Sequence, residues 1–212
     1  MPQGIESSNL SASAHRNFTK THMRNGLKIL IVSDAFAGLA LGMIGPIYAI
    51  FVQNIGGDVL DVGWAYFTFT FTSGVILYLI SRWENKVLYK EKLVFIGYLI
   101  NALGCLLYYF TDTKIMLFIV QAVLGIGIAV LSPAFDSLYS HFVKSDEEAS
   151  DWGAWEAMGY IVAAIAAILG SLIVDAYGFR PLFLIMFLAS LVGAATSFLL
   201  FRDKDYLLSS KL

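Results

Sequence analysis

The chain has 212 residues, of which 58% are hydrophobic and only 14% are charged, and its formal net charge at pH 7 is −2. Soluble domains carry about 25% charged residues, so the composition excludes an ordinary water-soluble fold, and the balanced charge provides no basic surface for a nucleic acid. The single cysteine, Cys105, excludes an internal disulfide.

Six long apolar runs follow a polar, Ser-rich stretch over 1–26, which we predict to be a cytoplasmic tail. A helix that crosses a membrane needs about 20 apolar residues, whereas strands of a membrane barrel would show ~10-residue segments of alternating polarity. We therefore predict an all-α membrane protein with a six-helix bundle over 27–202 and a second cytoplasmic tail over 203–212. The predicted spans are about 29–52, 62–81, 93–110, 115–138, 153–174 and 182–201.

The positions of lysine and arginine predict the orientation in the membrane. Twelve of the 14 lie before the first predicted span, after the sixth, or in the connections after the second and fourth spans, and only Lys114 and Arg180 lie on the opposite side. Positive residues collect on the cytoplasmic side. Both termini are therefore predicted to be cytoplasmic, in a plasma (inner) membrane.

The two halves of the chain echo each other. GPIY at 45–48 in the first span matches SPAF at 132–135 in the fourth, and the second and fifth spans both open with Asp-x-Gly, at 61–63 and 151–153. Because each unit contains three spans, the second copy must be inverted in the membrane, an arrangement that recurs in transporters. We predict a 3+3 inverted repeat.

Each half also has a proline inside its first span, Pro46 and Pro133. A proline in a helix removes one backbone hydrogen bond and kinks the helix. The sequence leaves two interpretations open, a static kink and a gating role.

Two longer segments resemble those of the major facilitator superfamily. The fourth span, QAVLGIGIAVLSPAFDSL, is similar to the family's R-x-x-x-G-x-G pattern, with Gln121 in the arginine position and Gly125 and Gly127 matching. The end of the fifth span, GSLIVDAYGFRPLF, resembles the family's G-x-L-x-D-x-x-G-x-R-x-x-F segment. Over roughly 27–202 the chain therefore resembles the N-terminal six-helix half of such a transporter, which implies secondary transport by alternating access.

The connection between the second and third spans, SRWENKVLYK, departs from the family's G-x-L-x-D-R-x-G-R-R pattern, since Asn85 replaces the Asp and Lys86 the Arg. In the family, this connection and an acid at the inner end of the fourth helix form a charge network. The resemblance implies such a network here from Arg82, Asn85, Lys86 and Asp136, with Asp136 contacting Lys86 or Arg82.

Family members typically have twelve helices in two halves, and this chain supplies one half. We therefore expect a homodimer with an isologous twofold interface, in which the second and fifth helices meet their partners and the first and fourth face a central cavity. The alternatives are a non-transporting membrane scaffold, one half of a heteromeric transporter, and a truncated fragment.

The first span carries an acid on a small-residue face. Asp34, Gly38, Gly42 and Gly45 fall on one side of a helix, and such a face lines a cavity or meets another helix. Asp34 lies about 9 Å beyond Lys28 at 1.5 Å per residue, where a carboxylate costs a few kcal/mol to insert. We predict that Asp34 carries a coupling proton; a fixed structural hydrogen bond to a neighbouring helix is the alternative.

Further polar residues point into the predicted bundle. Glu156, flanked by Trp152 and Trp155 as interfacial aromatics, is either a second proton-coupling residue or an acid that a helix N-terminus stabilises. Gln121 either contacts substrate or bonds two helices together. The candidates for lining a cavity are Gly38, Gly42, Tyr48, Asn101, Gln121 and Gly125.

The sequence contains no catalytic motif, no cofactor-binding motif and no metal-ligand spacing. We therefore predict that the protein is not an enzyme and needs no cofactor or metal. The expected partners are membrane lipid, a second copy of the chain and an unidentified small molecule or ion as substrate, but no nucleic acid.

Overall fold

The computed structural model describes residues 25–84, 87–143 and 147–202. These residues form helices and their connections without any strand, and six of the helices are long and apolar enough to cross a membrane. This confirms the predicted all-helical class with six membrane-length helices. The helices are α1 (Asn25–Asn54), α2 (Val59–Glu84), α3 (Lys90–Tyr109), α4 (Lys114–Phe142), α5 (Glu148–Tyr177) and α6 (Phe179–Ser197), with a 3₁₀ turn at Phe198–Arg202 after α6.

The two matched prolines have different local structures. In α1 the α-helical pattern runs over 25–42, gives way to a 3₁₀ turn at Gly45–Ile47 and resumes at Tyr48–Asn54. Pro46 lies in that turn, where its missing N–H is tolerated. Pro133 lies inside α4, which stays α-helical from end to end. Only the first proline coincides with a break in its helix.

The buried core has two parts, one at each end of the bundle. We call the end where residues 25 and 202 lie the tail end and the opposite end the far end. The tail-end core includes Leu27, Leu30, Val94, Tyr98, Leu138 and Leu200. The far-end core includes Met43, Phe51, Tyr108, Leu124 and Leu182. Since both parts draw on α1, α3, α4 and α6, these four helices form the interior of the bundle.

Small residues bring α1 close to α5 and α6. A Cβ added to Gly42 would lie 2.9 Å from the Cβ of Ala166 in α5, and a Cβ at Gly170 would collide with the backbone carbonyl of Met43. On the other side of α1, a Cβ at Gly193 of α6 would lie 2.9 Å from the carbonyl oxygen of Ser33. These distances are shorter than van der Waals contact, so the helix backbones meet here without side chains between them.

Similar contacts join α4 to α2 and α3. A Cβ added to Gly125 would lie 2.7 Å from the carbonyl oxygen of Phe69 in α2. A Cβ on Gly97 of α3 would lie 2.7 Å from the Cβ of Leu131. Thus α4 packs against α2 and α3, just as α1 packs against α5 and α6.

The helices α2 and α5 have almost no buried residues. Among the described residues of α2 only Ala65 is buried, and in α5 only Ala166 and Gly170 are. Large apolar side chains therefore lie on the outside of both helices, such as Phe71 in α2 and Ile168 in α5. Within a membrane these faces contact lipid or another protein.

Candidate functional site

Asp34 connects three helices through one carboxylate. The side chain is half-buried on α1, nine positions after Asn25, which is about 14 Å along the helix at 1.5 Å per residue. The indole Nε1 of Trp155 on α5 donates to its Oδ2 at 2.8 Å, and the hydroxyl of Tyr98 on α3 donates to its Oδ1 at 3.3 Å. Hydrogen bonds to an ionised acceptor are stronger than those between neutral groups, so Asp34 fastens α1 to α3 and α5.

An open-sided cavity of about 430 Å³ lies between α1 and α5 at the tail-end half of the bundle. Its volume is within the range of ~300–1,000 Å³ that is typical of ligand sites. The cavity is lined by Asp34, Trp155, Glu156, Gly159, Tyr160 and Ala163. The structure therefore brings Asp34 and Glu156, the two predicted proton-coupling residues, to the same cavity, and we call it the acidic cavity.

Small residues of α5 leave the space of the acidic cavity unfilled. None of the described residues that line this cavity is basic. Gly159 and Ala163 are four positions apart, so they lie on the same face of α5 one turn apart. Glu156 is exposed on that face. In the part of the chain that the structure describes, no three His, Cys, Asp or Glu side chains come together as a metal site.

Packing against other aromatic rings holds Trp155 in place. Its ring centroid lies 5.6 Å from that of Phe135, 5.7 Å from that of Tyr139 and 5.6 Å from that of Trp152. The hydroxyl of Tyr139 on α4 also donates to the backbone carbonyl of Asp151 at 2.5 Å, which ties α4 to the start of α5. The indole N–H is therefore held in the direction of Asp34.

The sequence did not identify Trp155 and Tyr98 as partners of Asp34. Trp155 was expected to be an interfacial aromatic, and Tyr98 gave no signal except its place on the predicted third span. A pattern of apolar residues shows that such a ring is within the bundle, but it does not show which carboxylate the N–H or O–H reaches.

A second cavity of about 330 Å³ lies at the far-end half, bounded by α1, α2, α3 and α4. Gln121 is buried at its wall, and its amide Nε2 donates to the hydroxyl of Tyr48 at 2.5 Å and to that of Tyr108 at 3.0 Å. Gln121 thus makes helix–helix hydrogen bonds and also borders open space. This second cavity, which we call the tyrosine cavity, is lined by Leu41, Ile44, Gly45, Tyr48, Tyr66, Phe69, Tyr108, Gln121 and Leu124.

The other candidates for lining a cavity lie at helix contacts or on the surface. Gly38 is exposed on α1, and Gly42 packs against α5. Gly125 packs against the backbone of α2. Asn101 is buried against Gly127, and its amide makes no hydrogen bond with the described part of the chain. Of the six candidates, Tyr48 and Gln121 line the tyrosine cavity, and none lines the acidic cavity.

The predicted inner-face charge network lies only partly within the described residues. Asn85 and Lys86 are outside them. Asp136 is exposed at the tail end of α4, and no ion pair joins it to Arg82 in the described ranges. Lys90 at the start of α3 instead donates to the hydroxyl of Ser137, beside Asp136. The network stays a prediction.

Comparison with known proteins shows which sequences the chain is similar to. The sequence model of the family described as Major Facilitator Superfamily matches residues 30–211. The chain is similar to Multidrug resistance protein MdtH of Aeromonas salmonicida (strain A449), at 26% identity over 159 residues, which are 71% of this chain and 40% of that protein. It is also similar to Uncharacterized MFS-type transporter YitZ of Bacillus subtilis (strain 168), at 26% identity over 148 residues, 68% of this chain and 87% of that protein.

A further similar protein is Uncharacterized MFS-type transporter MJ1560 of Methanocaldococcus jannaschii, at 22% identity over 165 residues. That match covers 78% of this chain and 42% of the other protein. The chain thus spans about two fifths of the length of MdtH and MJ1560 but matches most of YitZ.

Proposed function

The chain belongs to the Major Facilitator Superfamily, and we propose that it is a secondary active transporter that moves a small solute across the membrane by alternating access. The observation that carries this proposal is that Asp34 and Glu156 share one cavity between α1 and α5. Acidic side chains inside a membrane are costly, and they usually mark ion, proton or substrate pathways.

In this proposal Asp34 carries the coupling proton. Its carboxylate accepts hydrogen bonds from α3 and α5 and also borders the acidic cavity. Protonation removes the charge that strengthens both hydrogen bonds. The link between α1 and α5 then weakens, and α5 can move relative to α1. Glu156, exposed in the same cavity, exchanges protons between Asp34 and water.

The transporter works as a homodimer of six-helix halves, with both termini in the cytoplasm. The nearly unburied helices α2 and α5 support this arrangement, because a second copy could cover them. Two copies related by an axis along the membrane normal would provide twelve helices, the number found in the two halves of larger relatives. The tails and connections that carry most of the lysine and arginine support the orientation.

A 3+3 inverted repeat underlies each half. In such a repeat α1, α2 and α3 correspond to α4, α5 and α6. The packing of α1 on α5 and α6, and of α4 on α2 and α3, supports this correspondence. An inverted repeat exchanges the two ends of the bundle between its copies. The cavities support this inversion, since the acidic cavity lies at the tail-end half and the tyrosine cavity at the far-end half.

The test is proton-coupled transport by the purified protein in proteoliposomes that contain a pH-sensitive dye. A panel of solutes is added to the vesicles, and the solutes that drive proton movement with the wild type are repeated with Asp34→Asn. The matched control is Asp112→Asn, because Asp112 is 74% exposed and makes only a long 3.8 Å ion pair with Arg180, which contributes little. We expect Asp34→Asn to abolish coupling and the control to keep it. Proton-driven transport by Asp34→Asn that matches the wild type across pH would show that Asp34 is not the coupling residue.

The hydrogen bonds from Trp155 and Tyr98 to Asp34 also favour a second candidate, a membrane scaffold in which the acid only holds the helices together. Half of a heteromeric transporter is the third candidate. A scaffold would tolerate Asp34→Asn without loss of any activity, whereas half of a heteromer would not associate with itself.

A further inference from the structure

The carboxylates of the acidic cavity determine which sign of charge its ligand can carry. Asp34 and Glu156 both line it, and the described lining includes no lysine, arginine or histidine. Attraction between charges is stronger in a poorly solvated site than in water. An anionic solute would meet two carboxylates with no basic group opposite them.

The hydrogen-bonding groups of the cavity also favour a positively charged ligand. The indole N–H of Trp155 is already committed to Asp34 at 2.8 Å. Each carboxylate oxygen can accept more than one hydrogen bond, so Asp34 still has acceptor capacity toward the cavity. The cavity therefore offers acceptors for a ligand that donates, such as a protonated amine.

The aromatic lining fits the body of such a cation. Trp155 donates to Asp34 through the edge of its ring and also lines the cavity, and Tyr160, five positions further along α5, lines it as well and is 78% exposed. A cation over the face of Trp or Tyr is attracted by the ring quadrupole. Gly159 and Ala163 leave room between the rings and the carboxylates.

From these contacts we propose that the acidic cavity binds an organic cation, a protonated or quaternary amine that carries a ring or a compact alkyl group. This substrate class rests on the proposed transport function. The amine lies beside Asp34 and Glu156, and the apolar part of the ligand packs on Trp155 and Tyr160. The tyrosine cavity, whose described lining has no charged side chain, does not bind the cation.

The test is equilibrium binding by calorimetry to the protein in nanodiscs, with empty nanodiscs subtracted. The probes are phenyltrimethylammonium, its uncharged isostere tert-butylbenzene, and benzoate as the anion. We expect the wild type to bind the cation and neither of the other two. The expected loss of affinity is at least tenfold for Asp34→Asn, several-fold for Glu156→Gln and within twofold for Asp112→Asn.

Two further variants test the aromatic contact. Tyr160→Ala should bind about threefold more weakly than the wild type, and Tyr160→Phe, which restores the ring, should recover most of that loss. Glu156 and Tyr160 are exposed, so these variants keep the proposal testable even if Asp34→Asn does not fold.

The proposal is overturned if the wild type does not bind phenyltrimethylammonium, if the isostere or benzoate binds equally well, or if Glu156→Gln and Tyr160→Ala both bind the cation as the wild type does. The binding measurement does not depend on transport, so failure of the cation proposal can be told apart from failure of the proposed transport function. Asp34-dependent proton flux driven by an uncharged solute would leave the proposed function intact and remove only the cation as substrate.

Discussion

The hydrogen bond between Trp155 and Asp34 gives the most specific test of the link between α1 and α5. The perturbation is a double-mutant cycle of Trp155→Phe and Asp34→Ala. Phenylalanine keeps a ring against Phe135 and Tyr139 but removes the N–H that donates to Asp34 at 2.8 Å. The cycle isolates the pair because each single substitution removes the interaction and introduces no new polar group.

The magnitude follows from the geometry of the hydrogen bond and its surroundings. Hydrogen bonds between helices in a membrane average about 0.6 kcal/mol and reach about 1.7 kcal/mol, and hydrogen bonds to charged groups contribute about 1.5–3 kcal/mol. Since this bond is short and its acceptor is a carboxylate, we expect a coupling free energy of about 1.5 kcal/mol.

The assay is reversible unfolding in mixed micelles of sodium dodecyl sulfate and a mild detergent, followed by far-UV circular dichroism. The control cycle pairs Asp34→Ala with Trp152→Phe. Trp152 belongs to the same aromatic cluster, with its ring centroid 4.7 Å from that of Tyr139. The indole that donates to Asp34 is that of Trp155, so Trp152 tests the packing without this hydrogen bond. The control coupling should stay within about 0.5 kcal/mol of zero.

A coupling below about 0.5 kcal/mol for Trp155 and Asp34, or one equal to the control, would show that this hydrogen bond does not stabilise the fold. The carboxylate would then contribute nothing to the contact between α1 and α5, and its protonation would have no means of separating the two helices.

Three further predictions concern the packing of the bundle and its assembly. Gly170→Ala places a Cβ against the backbone carbonyl of Met43, which cannot rotate away, so the free energy of unfolding should fall by about 1–3 kcal/mol. The control is Gly153→Ala, which adds a Cβ in open space. Equal stability of the two variants would contradict the close contact. Gln121→Leu removes the donor to two tyrosine hydroxyls and should lower the free energy of unfolding by about 1–2 kcal/mol in the same assay, a loss that would be absent if the amide did not bond there. Native mass spectrometry from nanodiscs should give the mass of two chains, and a strict monomer would contradict the homodimer.

The number of helices was predictable from the sequence because a membrane imposes a strict rule. A segment in lipid must satisfy its own backbone hydrogen bonds over a fixed thickness, so run length alone identified all six helices. The sequence indicated a small-residue face for Asp34 and an inward-pointing position for Glu156, but it did not predict that the two acids line one cavity.

The partners of those acids were not predictable, because rotation and tilt of a helix leave little signal when it is apolar on every side. The donor Trp155 looked like an interfacial aromatic until the structure placed its N–H on Asp34. The prolines show the same limit. Pro46 and Pro133 match in the sequence, yet only Pro46 lies at a break in its helix. The neighbours of each proline decide how its missing hydrogen bond is accommodated, and one sequence does not reveal them.

Alternating access requires that the acidic cavity opens in turn to each side of the membrane, and this can be measured without knowing the substrate. Ala163 lines the cavity 15 positions after Glu148, about 22 Å along α5 at 1.5 Å per residue. The measurement is the labelling of Ala163→Cys by a membrane-impermeant thiol reagent, in right-side-out and inside-out vesicles. The native thiol of Cys105, which is buried, is first removed by Cys105→Ser. Alternating access predicts labelling from both sides, with a ratio that an imposed proton gradient shifts. Labelling from one side only, whatever the gradient, would contradict it.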